Sequence, residues 1–112
     1  MAVTVQTTFG DRGVIKVVAT FTADGDATFT LPRCTIASFE AVSSNFAGGT
    51  IELQAAPDAV NYAALPTAKT LAATGIKSVA PADLSFYNYR FDLSGSVTPA
   101  TITVTLIVYQ MT

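Results

Sequence analysis

The sequence contains no histidine and no tryptophan, one cysteine, and few charges. Without histidine there is no imidazole base. That excludes the Ser-His-Asp triad, Cys-His nucleophile pairs and most zinc or iron sites. A single cysteine, Cys34, cannot close an internal disulfide or build a thiolate metal cage, so a disulfide-scaffolded secreted domain is excluded. Burial as a free thiol is the expected fate of Cys34. Arg33 beside it could lower its pKa, but no base accompanies the pair. The absence of tryptophan weakens a sugar-binding reading, because such modules stack sugars on flat aromatic faces. Charged residues make up 12% of the 112-residue chain, against about 25% in ordinary soluble domains. A surface this poor in charge relies on Thr and Ser for solubility, or is covered by other chains.

Further absences narrow the class. The six basic residues, Arg12, Lys16, Arg33, Lys69, Lys77 and Arg90, are scattered, and the net charge is −2. No basic patch exists to follow a phosphate backbone, so nucleic acid is not an expected partner. The chain has no run of ~20 apolar residues to span a membrane and no basic head followed by an apolar stretch to act as a signal peptide. The expectation is therefore synthesis in the cytoplasm, with no membrane partner. No phosphate-cradling glycine loop is present; Gly48-Gly49 is followed by Thr50, with no lysine to meet a phosphate. No cofactor is expected.

What is present is strand periodicity. In GVIKVVATFT, residues Ile15, Val17, Ala19 and Phe21 share one face, with Lys16, Thr20 and Thr22 on the other. Asp24-Gly25 has the composition of a tight hairpin turn. Ala27, Phe29 and Leu31 then alternate with Thr28 and Thr30 until Pro32, which cannot donate to a ladder. A third strand runs from Thr35 to Val42, and Ile51, Leu53 and Ala55 mark a fourth. Tyr87, Tyr89, Phe91 and Leu93 alternate with Asn88, Arg90 and Asp92, which assigns both tyrosines to the core. In TITVTLIVYQ, Ile102, Val104, Leu106 and Val108 point inward. Residues 63–73 contain helix-friendly Ala and Leu but also Pro66, and read as a loop with one helical turn. Ala2 to Phe9 reads as an edge strand or an N-terminal arm. The whole chain, 1–112, forms one all-β domain: an antiparallel β-sandwich, jelly-roll-like, with an immunoglobulin-like topology as the alternative.

Some apolar residues fall on faces that should be polar. Val14 and Val18 share a face with Lys16 and Thr20, and Ile107 and Tyr109 continue the outward phase of Thr101, Thr103 and Thr105. Covering each large apolar side chain gains about 1.5–3 kcal/mol. Either a second layer of the same chain covers them, or they form an oligomer interface. The acids offer little chemistry. Asp24 and Asp26 flank Gly25 without the further oxygen ligands of a calcium loop. A hydrolase using Asp24, Asp26, Asp58 or Asp83 has no recognisable site around it, and the chain is not read as an enzyme. In the segment IELQAAPDAVNYAALP, Asp58 and Asn61 can fix a turn through local backbone hydrogen bonds, with Tyr62 as the anchor of the corner or as a recognition residue.

That corner, with its Asp58 and Asn61, and the later Tyr89-Arg90-Phe91 strand together resemble a pattern of small structural proteins of tailed bacteriophages, the head decoration or capsid cement proteins. The likeness spans about Thr50 to the C-terminus. It departs at Ala59, where glycine is usual, and at Tyr62, where the pattern has tryptophan. The resemblance implies a non-enzymatic virion protein that binds the outer surface of the assembled phage head. It implies a homotrimer, with the major capsid protein as partner. A glycan-binding or adhesive module of a tail, fibre or cell surface is the alternative.

Overall fold

The computed structural model describes residues 3–10, 13–32, 34–79 and 86–110, apart from the side chains of 34–36 and 110. Cys34's thiol, Arg12, Arg33 and Asp83 therefore lie outside the described residues. Among the described residues nine strands appear in chain order. They are β1 (Val3–Phe9), β2 (Val14–Phe21), β3 (Gly25–Thr30), β4 (Cys34–Val42), β5 (Thr50–Ala55), β6 (Ala63–Leu71), β7 (Gly75–Val79), β8 (Asn88–Ser94) and β9 (Ile102–Gln110).

Two antiparallel sheets face each other, one of order β1-β2-β9-β4-β7 and one of order β3-β8-β5-β6. The pairing is nested: β5 pairs with β6, β4 with β7, β3 with β8 and β2 with β9. The chain is one long hairpin, rolled so that successive pairs alternate between the sheets. This is the jelly roll, with β1 added at an edge of the larger sheet, and it decides against the immunoglobulin-like alternative.

Alternation along the strands builds the core. Ile15, Val17, Ala19 and Phe21 of β2, Ile102, Val104, Leu106 and Val108 of β9, and Ile51 and Leu53 of β5 are fully buried. Within the smaller sheet Phe29 of β3 meets Phe91 of β8 with ring centroids 4.8 Å apart, and between the sheets Phe39 of β4 stacks on Phe91 at 6.0 Å. Tyr89 is fully buried with its hydroxyl accepting from the Phe86 N–H at 3.1 Å, so the polar end of a core tyrosine is satisfied.

Three local readings are corrected. Asp24-Gly25 is not a hairpin turn, because β2 and β3 lie in different sheets. Gly25 opens β3 where β1 crosses over it; a Cβ there would sit 2.9 Å from Val3 Cγ2, so glycine serves close approach. Asp24 instead ties two crossovers together, accepting from the N–H groups of Gly95 (3.1 Å) and Ser96 (3.0 Å) and from the Ser96 hydroxyl. Residues 63–71 are a strand, not a loop with a helical turn. Pro66 fits because β6 is an edge strand whose register breaks there: Gln54 pairs with Ala64 and Leu53 with Lys69, so the strand bulges between those pairs. Tyr87 is 61% exposed and precedes β8, so only Tyr89 of the two tyrosines belongs to the core.

Candidate functional site

Pro57 begins the corner between β5 and β6. It occupies the second position of a tight turn, where its fixed φ is favourable, and Ala59 N–H closes the turn on the Ala56 carbonyl at 3.0 Å. The Asp58 carboxylate then collects its neighbours. Oδ1 accepts from the N–H groups of Val60 (2.9 Å) and Asn61 (2.8 Å), and Oδ2 accepts from Asn61 Nδ2 at 2.7 Å. These bonds, the Asn61 N–H foremost and Val60 next, hold the Asp58 carboxyl below the usual carboxylate range. Ala59 adopts φ 61°, the left-handed conformation for which glycine is the usual choice. The turn thus keeps its geometry without glycine.

The corner delivers Tyr62 onto the outer face of the smaller sheet. The Arg90 guanidinium of β8 lies over its ring, 4.7 Å from the centroid. Arg90 is itself held flat: Nε donates to Gln54 Oε1 at 2.6 Å, and Nη1 reaches Asp26 Oδ2 at 3.5 Å. Gln54 in turn donates to Glu52 Oε1 at 2.5 Å. Beside this network the register sets Asp26, Asp92 and Glu52 in one row across β3, β8 and β5. Partial burial, first, and then the charges of Asp26, Glu52 and Asp24 push the Asp92 carboxyl up, against the opposing effect of Arg90.

Next to Tyr62 an open cleft of about 550 Å³ runs along the free edge of β3. Thr28, Phe29 and Thr30 of β3 line it, with Thr7 of β1, Ala59, Tyr62 and Asn88. Asn88 is fixed by the corner: its carbonyl accepts from Ala56 N–H at 2.9 Å, and its side-chain amide approaches the Pro57 carbonyl at 3.5 Å. Among the described residues the wall offers hydroxyls, one amide and the Tyr62 ring, and no carboxylate, ammonium or guanidinium.

Of the residues singled out from sequence, Asp58, Asn61 and Tyr62 converge on this corner. Val14, Val18, Ile107 and Tyr109 gather elsewhere, on the outer face of the larger sheet, where Val14 pairs with Tyr109 and Lys16 with Ile107. The acids do not assemble. Asp24 and Asp58 serve loops at opposite ends of the sandwich, and Asp26 belongs to the outer row. Sequence reasoning missed the cleft itself. Thr7, Thr28, Thr30 and Asn88 come from three distant strands, and only the outward phase of Thr28 and Thr30 hinted at them.

The sequence matches no protein-family profile and no curated protein. Solved structures do superpose, two cupin domains among them. The cupin domain of Schizosaccharomyces pombe Cnp3 is 12% identical, with TM-score 0.52 over 99% of this chain. A cupin domain of an XRE family transcriptional regulator from Enterobacter cloacae is also 12% identical, with TM-score 0.51 over 99% of this chain and all of that domain. Oxalate oxidase in complex with the substrate analogue glycolate is 7% identical, with TM-score 0.55 over 97% of this chain. The chain spans 63% of the Cnp3 structure and 51% of the oxidase. At such identities the likeness establishes the architecture, a jelly roll of cupin type.

This finding overturns the capsid-decoration reading. The superposing structures are two cupin domains and an oxalate oxidase, and none of these three is a virion protein. The residues that carried the resemblance have local explanations. Asp58 and Asn61 hold the β5–β6 corner, Tyr89 and Phe91 fill the core, and Arg90 braces Tyr62.

A metal centre of the kind an oxidase could use needs several imidazole or carboxylate donors converging on one point. The inward positions at the centre of this sandwich are hydrocarbon and aromatic, and the chain has no imidazole. Among the described residues no group of three or more His, Cys, Asp or Glu side chains is placed to hold a metal. The donor set does not fit.

Proposed function

We propose that this chain is a non-catalytic binding module on a cupin-type jelly roll, with its ligand seat in the cleft beside β3. The observation that supports this reading is the cleft wall. Thr7, Thr28 and Thr30 bring hydroxyls, Asn88 an amide and Tyr62 a ring, within about 550 Å³. Concave sites that combine aromatic surface with a few placed polar groups suit small molecules. The absence of charge in the wall selects a small, uncharged, hydrogen-bonding ligand with one apolar face. Such a wall contains no group that exchanges a proton readily near neutral pH, so the cleft holds its ligand without transforming it.

Isothermal titration calorimetry tests this with a panel of monosaccharides, polyols, primary amides and matched carboxylates and amines. Neutral members bind, with no turnover on prolonged incubation, and charged analogues bind at least tenfold more weakly. Tyr62→Ala lowers affinity about tenfold or more, in keeping with the loss of an aromatic contact and its bracing by Arg90. Tyr87→Ala, exposed outside the cleft, leaves it unchanged. Silence across the panel, binding indifferent to Tyr62→Ala and Asn88→Ala, or consumption of the ligand would each overturn the proposal.

A further inference from the structure

The two sheets present outer faces of opposite character. On the smaller sheet Asp26, Glu52, Arg90 and Asp92 crowd the outward positions of three strands. Across the five strands of the larger sheet the described outward positions carry two charges, Lys16 and Glu40. Between and around those charges lie Val14, Val18, Ile107 and Tyr109, with Tyr109 48% exposed. At the β1 margin Thr4, Gln6 and Thr8 are polar, whereas at the β7 margin Ser78 stands beside Ile76, 70% exposed, and Val42 of β4 adds a further exposed apolar side chain. A face with several exposed apolar side chains and only two charges suits contact with another protein surface.

The placement of the two charges fits a second copy of the same face as the occupant. Lys16 pairs across to Ile107 of β9, which pairs on to Ser38. Glu40 pairs to Thr105 of β9, which pairs on to Val18. Lys16 and Glu40 therefore flank β9 on opposite sides, one pleat repeat apart, roughly 12 Å from each other by sheet spacings. Neither makes a salt bridge within the chain among the described residues. A two-fold axis lying in the face, through β9 between Thr105 and Ile107, carries Lys16 of one copy over Glu40 of the other, and Glu40 over Lys16. The face is complementary to itself, as an isologous contact requires. Five strands of seven to nine residues in the longer members cover roughly 600–700 Å² in projection. Side-chain relief brings this near the ~800 Å² that each partner buries in a stable interface.

We propose that the outer face of the larger sheet pairs two copies of this chain about a two-fold axis, with Lys16 of each copy meeting Glu40 of the other. The inference is independent of the cleft, which lies at the opposite sheet's edge.

Light scattering after size exclusion, with sedimentation equilibrium from 1 to 100 µM, tests it on the full chain. The wild type is a dimer. Lys16→Glu or Glu40→Lys puts like charges together at two symmetric places and weakens dimerisation at least about tenfold. The double variant Lys16→Glu with Glu40→Lys restores it, which a merely structural effect of either change would not do. Circular dichroism confirms that every variant remains β-rich, as surface positions allow. A monomer at 100 µM, a closed trimer, single variants that dimerise normally, or a double variant no better than the singles would overturn the proposal.

Discussion

Ala59 occupies a left-handed backbone position, φ 61°, one residue after the Asp58 that organises the turn. An L-residue there costs about 1–2 kcal/mol, part of which glycine gives back as extra unfolded-chain entropy. Ala59→Gly therefore raises stability by about 0.5–1 kcal/mol, read as a higher urea midpoint at unchanged slope; a lower midpoint would mean that the Ala59 methyl packs favourably at the cleft. Asp92 presents the opposite case, a charge the fold disfavours. Its folded pKa is raised by partial burial and by the acids beside it. The cost is absent below the unfolded value of about 3.9 and complete once the pH exceeds the folded value. Asp92→Asn consequently stabilises at pH 7, by roughly 0.2–1 kcal/mol for relief of like charges across strands, and the gain disappears towards pH 3. Thermal melts of both proteins across that range measure it, and a gain that persists at pH 3 would refute the electrostatic cause. Asp24 and Asp58 run the other way. Their carboxyls are held low by hydrogen bonds, so the stability they add is present above the unfolded pKa and lost as the pH falls through the folded one.

Among the elements, those buried on one face were legible in the sequence. The period of two in β2, β3, β5, β8 and β9 survives in the structure because each strand has one face in the core and one in solvent. β6 was not legible. As an edge strand with a register break it places only Leu65 and Leu71 firmly inside, and Pro66 in its middle imitates a loop. The Asp24-Gly25 pair misled for a related reason. Local composition reports a tight change of direction, but whether the chain returns in its own sheet or crosses to the other depends on distant partners. The candidate site divides the same way. The Asp58–Asn61–Tyr62 corner is local in sequence and could be read from it. The cleft wall depends on β1 lying near β3 and on Asn88 meeting the corner, contacts between segments far apart in the chain.

At the scale of the whole molecule the nested pairing orders the loop closures that folding must make. The β5–β6 hairpin closes a short loop, whereas β2 and β9 join residues 14–21 to residues 102–109, almost the length of the chain. Loop-closure entropy rises with the logarithm of loop length, so among the four nested pairs the innermost is the least costly starting point and β2–β9 the most costly; the β1–β2 hairpin, outside the nest, closes a short loop of its own. Non-local pairing of this kind gives folding in milliseconds to seconds. Leu53 of β5 and Leu106 of β9 are both fully buried, so truncation of either to alanine removes the same chemistry, at a cost of about 2–5 kcal/mol. If β5 and its neighbours form the nucleus, Leu53→Ala slows folding, while Leu106→Ala leaves the folding rate nearly intact and speeds unfolding. Stopped-flow chevrons of the two variants in urea separate these effects. A folding limb slowed more by Leu106→Ala than by Leu53→Ala would place the nucleus in the larger sheet. The roll would then close from its outermost pair, against the order that loop entropy dictates.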